Sequence, residues 1–92
     1  MKVNFYATLR QIVGVKTVEV DAPEGVTIRE LLLEIARRYP ALSREMFDKR
    51  GNLHAHIHVF INGRESSFIE DNLDARVQLS DTISVFPAVG GG

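Results

Sequence analysis

The fold is decided by residues 27–40, TIRELLLEIARRYP, where the apolar side chains have the spacing of a helix. Thr27 and Glu30 have the spacing of a capping box, in which each side chain accepts a hydrogen bond from the other residue's backbone N–H. The apolar residues that follow at helical spacing are Ile28, Leu31, Leu32, Ile35 and Tyr39. Pro40 then disfavours helical geometry in the residue before it. The stretch predicts one amphipathic helix from Thr27 to Tyr39, with an apolar stripe that packs against a sheet.

Two segments before this helix have the alternating pattern of half-buried strands. Every second residue from Val3 to Leu9 is apolar, and residues 17–20 repeat the alternation. Gly14 lies between the two segments and is suited to a turn. They therefore predict a first β-hairpin whose apolar side chains face one core.

The segment after the helix contains a short helical turn and then a strand. Residues 40–47 predict the helical turn, and residues 54–61 predict the strand. One face of the strand carries Ile57, Val59 and Ile61, and the other carries His54, His56, His58 and Phe60. Asn62-Gly63 predicts a tight hairpin turn, because both residues tolerate the positive φ that such turns require.

The last third of the chain is less regular until its final strand. Residues 66–80 suggest only short extended pieces, at 67–69 and 76–79. Residues 82–86 predict the last strand, and Pro87 ends its hydrogen bonding because proline has no N–H.

The order of these elements predicts an α+β fold in which one main helix packs on one face of a mixed sheet. The opposite face of the sheet is then open. The alternation places four ring-bearing side chains on that open face, those of Tyr6, His58, Phe60 and Phe86. Exposed aromatic residues that are grouped on one sheet face indicate a protein-binding surface.

Length and composition exclude several classes of protein. The chain has 92 residues, 45% of them hydrophobic and 25% charged, which predicts one globular domain with one core. A formal net charge of −1 lacks the basic excess typical of nucleic-acid binding. We find neither a signal peptide nor an apolar run of membrane-spanning length, so we expect a cytoplasmic protein. There is no cysteine, so any sulfur that the protein handles is not carried on a side-chain thiol.

The chain ends at residues 86–92 with FPAVGGG, which places three glycines shortly after the last predicted strand. Glycine has no Cβ, so a polyglycine end can enter a narrow channel and present its carboxylate without steric hindrance. The terminal carboxylate is therefore the predicted reactive group of the protein.

With this order of elements, the chain resembles the MoaD family, the small subunit of molybdopterin synthase, among the ubiquitin-like β-grasp sulfur carriers. The resemblance is carried by residues 3–10 (VNFYATLR), 27–39, 39–42 (YPAL), 61–63 (ING) and 85–92 (VFPAVGGG). Residues 40–63 also resemble the archaeal branch, which includes small ubiquitin-like modifiers. The chain departs from the usual family end in two ways, because Ala88 follows Pro87 and an additional Gly90 precedes the terminal pair.

The resemblance implies a β-grasp domain at residues 1–87, a flexible tail at 88–92, and a two-step activation of the Gly92 carboxylate. A MoeB-like adenylyltransferase, similar to ubiquitin-activating enzymes, would use ATP to adenylate it. A persulfide sulfur would then replace AMP and leave a thiocarboxylate. The chain has no nucleotide-binding motif, so we expect it to bind no cofactor and to have no catalytic activity by itself.

The resemblance also implies how the carrier is used. The tail, Gly90 to Gly92, and the open sheet face would dock onto a MoaE-like large subunit, in a heterotetramer of two small and two large subunits, and donate sulfur for molybdenum cofactor synthesis. The residues that would contact the partner are Phe60, Phe86, Pro87 and Val89.

Two other functions would use the same glycine tail, and a further class would not use it. A ubiquitin-like modifier would join the activated Gly92 to lysines of target proteins, and a sulfur carrier for tRNA thiolation would pass its sulfur to RNA. The acceptor distinguishes these functions, since the activation is common to them. A third class is a β-grasp binding module whose terminal glycines have no role.

Two further groups of polar residues have side chains suited to a site, and a third forms a predicted ion pair. His54, His56 and His58 alternate along one strand, but neighbouring same-face rings converge poorly on one ion, and we assign no metal site. The carboxylates Glu70, Asp71 and Asp74 lie in an unpatterned segment and are interpreted as solubilising. On the helix, Glu34 and Arg38 are predicted to form an i, i+4 ion pair.

Overall fold

The computed structural model describes residues 1–66 and 72–87, which form one mixed sheet packed against helices. The strands are β1 (Lys2–Phe5), β2 (Thr17–Glu19), β3 (Ile57–Ile61), β4 (Arg64–Glu65) and β5 (Thr82–Pro87). The helices are α1 (Ala7–Val13), α2 (Ile28–Arg38) and α3 (Pro40–Met46), with a 3₁₀ turn at Asn72–Asp74. Among the described residues, no helix is both long and apolar enough to cross a membrane.

The sheet has the strand order β2-β1-β5-β3-β4. The central strand β5 and its neighbour β1 are parallel, and the other neighbouring pairs are antiparallel. The first and last strands of the chain therefore lie side by side at the centre. This arrangement confirms the predicted α+β class and the mixed sheet.

The core lies between one face of the sheet and the helices. Helix α2 begins with the predicted capping box: the Glu30 N–H donates to Thr27 Oγ1 at 3.1 Å, and the Thr27 N–H donates to Glu30 Oε1 at 3.4 Å. Its apolar stripe is fully buried at Ile28, Leu31, Leu32 and Ile35. Leu33, which is outside the stripe, is 43% exposed. The amphipathic pattern of this helix thus determines which face of the sheet is covered.

The first connection differs from the predicted hairpin. The antiparallel pairing of β1 with β2 is present, but β1 ends at Phe5 and a helix, α1, replaces the expected strand from Ala7 to Leu9. Ala7 has φ 53, which turns the chain out of the strand. Leu9 is buried in the core as a residue of the helix. Helix α1 ends at Gly14, with φ 83, whose N–H donates to the Arg10 carbonyl.

Three later boundaries also differ from prediction. The strand expected over residues 54–61 begins only at Ile57, so His54 and His56 precede it. Strand β5 extends to Pro87, which pairs with Ile57. Of the extended piece at 76–79, only Arg76 forms an isolated bridge, and the piece at 67–69 lies outside the described residues. The predicted turn at Asn62-Gly63 is confirmed, with φ 53 and 84.

Candidate functional site: the open face of the sheet

Strand β5 presents different residues to the two faces of the sheet. Ile83 and Val85 are fully buried beneath the helices, whereas Ser84 and Phe86 are half-buried on the opposite face. Alternation along a strand produces this division, because successive side chains point to opposite faces. The open face is therefore built by residues that the core does not use.

Three aromatic rings meet on this open face, one from the residue after β1 and one each from β3 and β5, and we name Tyr6, Phe60 and Phe86 the aromatic cluster. The Tyr6 and Phe86 rings are stacked, with centroids 4.1 Å apart and planes 7° apart. Phe60 meets Phe86 edge to face, with centroids 5.3 Å apart. Such ring pairs contribute beyond the area that they bury. The cluster is an ordered apolar surface at the end of the sheet where β5 finishes.

A cavity of about 540 Å³ lies beside the cluster on the β3–β4 side of Phe86. Its lining residues are His58, Phe60, Gly63, Glu65, Ser84, Phe86 and Pro87. The walls are mainly apolar, and few polar groups border them. A cavity of this kind accommodates an apolar side chain from another molecule better than a charged ligand.

Two charged side chains flank the aromatic surface on opposite sides. Lys16 Nζ lies 5.7 Å from the centroid of the Tyr6 ring, within the range of a cation–π contact. On the other flank, Glu65 Oε1 is 3.2 Å from His58 Nδ1. Glu65 and His58 both remain accessible, with 31% of the Glu65 side chain and 39% of the His58 side chain exposed.

The remainder of the open face is polar. Thr17 Oγ1 donates a hydrogen bond of 2.6 Å to Asn4 Oδ1 across β2 and β1. Lys2 pairs with Glu19 across the same strands and with Thr82 of β5. The apolar part of the face is thus confined to the end from which residues 88–92 continue the chain.

The structure brings together three of the four residues predicted to contact a partner. Phe60, Phe86 and Pro87 line one cavity. Val89 lies outside the described residues, as do the tail glycines 90–92. Sequence reasoning placed Tyr6 on the open face but did not count it among the partner contacts, and it missed the flanking charges.

The position of Glu65 was available from the sequence, whereas that of Lys16 was not. A two-residue turn at Asn62-Gly63 makes residue 65 the partner of Phe60, as the structure shows. Lys16 reaches Tyr6 only because helix α1 separates β1 from β2.

The three histidines do not act as one group. The His54 and His56 rings stack at 5.5 Å, and His56 Nε2 lies 3.9 Å from Glu45 Oε1. His58 contacts Glu65 instead. Within residues 1–66 and 72–87, no group of three or more histidine or carboxylate side chains is placed to hold a metal ion.

Two of the other carboxylates, Asp74 and Glu34, form ion pairs with arginines. Asp74 pairs with Arg29 at 3.3 Å, and Glu70 and Asp71 lie outside the described residues. Glu34 makes its short contacts with Arg37 rather than with the predicted Arg38.

On α2, the guanidinium of Arg37 donates to both Glu34 carboxylate oxygens, at 2.7 and 2.8 Å, whereas Arg38 Nε lies 4.0 Å away. The i, i+3 pair forms more closely than the i, i+4 pair. The hydrogen bond from Arg37 lowers the pKa of Glu34 below its ordinary value, and the charges of Arg37 and Arg38 act in the same direction.

The similarity to known proteins extends over the whole chain. Small archaeal modifier protein 1 of Haloferax volcanii is 30% identical over 92 residues, an alignment that covers all of both chains. Its crystal structure superimposes with a TM-score of 0.86, covering 99% of this chain and 97% of that chain. Small archaeal modifier protein 3 of the same organism is 29% identical, covering all of this chain and 98% of the other.

A structure from a bacterial complex is also similar. A chain in the crystal structure of the Amycolatopsis orientalis BexX/CysO complex matches with a TM-score of 0.79 and 29% identity, covering 99% of this chain and 98% of that one. These similarities confirm the β-grasp fold. The model of the ThiS family matches residues 3–92. The chain therefore belongs to the ThiS family of small ubiquitin-like β-grasp proteins.

Proposed function

We propose that this chain is a sulfur carrier that acts as the small subunit of a molybdopterin synthase. In this function a MoeB-like enzyme adenylates the Gly92 carboxylate, and a persulfide converts the adenylate to a thiocarboxylate. A MoaE-like large subunit then receives the loaded carrier. The observation that carries the proposal is the position of the aromatic cluster, at the end of the strand that comes two residues before the terminal glycines.

The chemistry requires little from the carrier beyond an accessible carboxylate. That group is ionised at neutral pH and attacks the α-phosphate of ATP, which releases pyrophosphate and forms a mixed anhydride with AMP. The sulfur of a persulfide then attacks the carbonyl carbon, and AMP leaves. Reductive cleavage of the resulting acyl disulfide by a thiol leaves the thiocarboxylate on Gly92.

The geometry limits where the partner's reacting groups can lie. Five residues follow Pro87, and five fully extended residues span at most about 17 Å. A partner that contacts Phe86 must therefore hold its adenylation centre within about that distance of the cluster. Docking on the cluster and insertion of the tail are thus two parts of one binding event.

The proposal is tested by intact-protein mass spectrometry after incubation with an adenylating enzyme, ATP and a persulfide donor. The expected product has one oxygen replaced by sulfur at Gly92. A variant that lacks Gly91 and Gly92 is the control and should gain no sulfur. Absence of adenylate and of sulfur uptake, with an enzyme active on its own carrier, would contradict the proposal.

A second function, protein modification, is favoured by the full-length similarity to small archaeal modifier proteins 1 and 3. Here the same adenylated Gly92 would form an isopeptide bond with a target lysine. Delivery of sulfur to tRNA is a further use of the thiocarboxylate. Incubating the activated chain with a MoaE-like subunit and, separately, with cell extract distinguishes molybdopterin formation from ATP-dependent conjugates.

A further inference from the structure

The open face carries opposite charges on its two flanks, with apolar surface between them. Lys16 borders the Tyr6 side, and Glu65 borders the cavity on the Phe60 side. Sheet register determines how far apart they are. One row of paired residues crosses the face through Thr17, Asn4, Ser84, Phe60 and Glu65.

That row contains four steps between neighbouring strands, which corresponds to roughly 19 Å. Lys16 adjoins its first residue, and Glu65 is its last. The screening length at physiological ionic strength is about 8 Å, so the two charges affect each other little. Each one is therefore available to interact with a different group on a docked protein.

The sign of each flank follows from the local contacts. Glu65 Oε1 lies 3.2 Å from His58 Nδ1, and 31% of the Glu65 side chain stays exposed at the edge of the face. The neighbouring Arg64 pairs with Ile61. Alternation along β3 places Ile61 on the helix-covered face, so Arg64 belongs to that face as well. The β4 flank of the open face is therefore acidic, and the β2 flank beside Tyr6 is basic.

We propose that Lys16 and Glu65 fix the orientation in which the activating enzyme docks on the aromatic cluster. The docking surface of that enzyme then presents a carboxylate toward Lys16 and a guanidinium or ammonium group toward Glu65. Between them it places an apolar side chain in the cavity beside Phe86. This inference rests on the proposed function, because it requires a partner that receives the tail.

The physical reason for the two charges is that apolar contact is non-directional. Stacked rings alone would accept a partner rotated about the normal to the sheet, and the tail would then point away from the adenylation centre. A rotated partner would bring like charges together at both flanks, which is unfavourable. Correctly placed charges also accelerate association, and this effect weakens as salt is added.

The test measures association rates between the intact chain and its activating enzyme at low and high ionic strength. Lys16→Glu and Glu65→Lys are each expected to slow association roughly three- to tenfold at low salt. Because the two charges are far apart, their effects on the logarithm of the rate should add in the double variant. The differences from the wild-type chain should shrink at high salt.

Matched controls lie on the polar part of the same face. Lys2→Glu and Glu19→Lys change the net charge by the same amounts, and Lys2 is about 13 Å from Tyr6 along its strand. Both controls are expected to associate at close to the wild-type rate. The neutral variants Lys16→Met and Glu65→Gln should give smaller losses, and they serve if a reversed charge perturbs folding.

The outcomes separate this inference from the function on which it rests. If the wild-type chain is adenylated normally and all four charge reversals associate at the same rate, the orienting role is wrong and the carrier function stands. If the wild-type chain neither binds nor becomes adenylated, both proposals are wrong. Slower association for the flank variants only, restored by salt, supports the assigned orientation.

Discussion

The two faces of the sheet use the same strands for different purposes, and strand β5 shows the contrast most directly. Val85 is fully buried under the helices, whereas its neighbour Phe86 is half-buried between the rings of Tyr6 and Phe60. Apolar residues on the covered face exclude water permanently in the folded protein. Those on the open face exclude it only partly, so apolar surface remains that another protein could bury.

The comparison teaches that apolar character alone does not identify a functional surface in a small domain. Phe5 and Phe86 are both aromatic residues in central strands, and only their parity differs. The side chain of Phe5 contributes mainly to the stability of the fold. We expect Phe86 to contribute less to stability and more to recognition, because the surface that it keeps exposed can still be buried against another protein.

The largest expected effect on stability is that of Phe5→Ala on the covered face. Phe5 is fully buried, so truncation loses its transfer free energy and leaves a cavity. The free energy of unfolding should fall by about 3–5 kcal/mol, as measured by urea denaturation. That is a large part of the 5–15 kcal/mol available to a typical domain. A loss below about 1 kcal/mol would show that the two faces do not differ as described.

Phe86→Ala should have the opposite profile. It removes the central ring of the aromatic cluster, which contacts both Tyr6 and Phe60. We expect a loss of about 2 kcal/mol or more in binding to the activating enzyme, measured by calorimetry, because central aromatic residues dominate interfaces. Stability should fall by only about 1 kcal/mol.

Thr82→Ala is the matched control for this variant, since Thr82 is exposed on the same face of the same strand. It should leave binding unchanged. If Thr82→Ala weakens binding as much as Phe86→Ala, the whole face is in contact with the partner rather than its aromatic end.

A smaller effect is expected at the start of helix α2, which lies over the covered face. Thr27→Ala removes the oxygen that accepts from the Glu30 N–H and should cost about 1 kcal/mol in unfolding free energy. Partner binding should not change, because the cap is remote from the aromatic cluster. Leu33→Ala, at an exposed position of the same helix, is the control and should stay within about 0.5 kcal/mol of the wild-type stability.

Sequence reasoning predicted the elements whose local signals agree with their packing. The capping box, the buried stripe of α2 and the Asn62-Gly63 turn are all present. The open face was also predicted, since the parity of β3 and β5 follows from alternation once each strand is recognised. These features depend on neighbouring residues only.

Helix α1 was missed because two periodicities overlap in one short segment. The alternation of apolar residues continues through Ala7 to Leu9, so a strand of eight residues fits residues 2–9 as well as a shorter strand followed by a helix. The structure resolves the ambiguity at Ala7, whose positive φ is uncommon for alanine and has no signal in the sequence. Helical spacing of Leu9, Ile12 and Val13 before Gly14 was the available clue.

Of the two flanking charges, that of Lys16 was missed for a related reason. Lys16 reaches the aromatic cluster from the residue before β2, and its position depends on helix α1, which the alternating pattern concealed. Contacts between residues distant in sequence require the correct connection between strands. Errors in one element therefore extended to the site, although the strands themselves were assigned to the correct faces.

The smallest expected effect concerns Glu34, on the outer side of α2, a surface that belongs to neither face of the sheet. Arg37 lowers the pKa of Glu34 below its ordinary value of 4.5 by hydrogen bonding to the carboxylate. The ion pair therefore adds stability above the ordinary pKa, and this contribution is lost as pH falls through the lowered pKa. Both side chains are solvent-exposed, so the contribution is small and is screened by salt.

Thermal unfolding of the wild-type chain and of Glu34→Gln at several pH values between 3 and 7 measures this contribution. The wild-type chain should have the higher Tm at pH 7, and the two values should converge in acid, where Glu34 is protonated and neutral in both states. Arg37→Gln should show the same convergence, because it removes the other member of the pair. A Tm difference that grew as pH fell would mean that Glu34 is destabilised in the folded state, contrary to its contacts with Arg37.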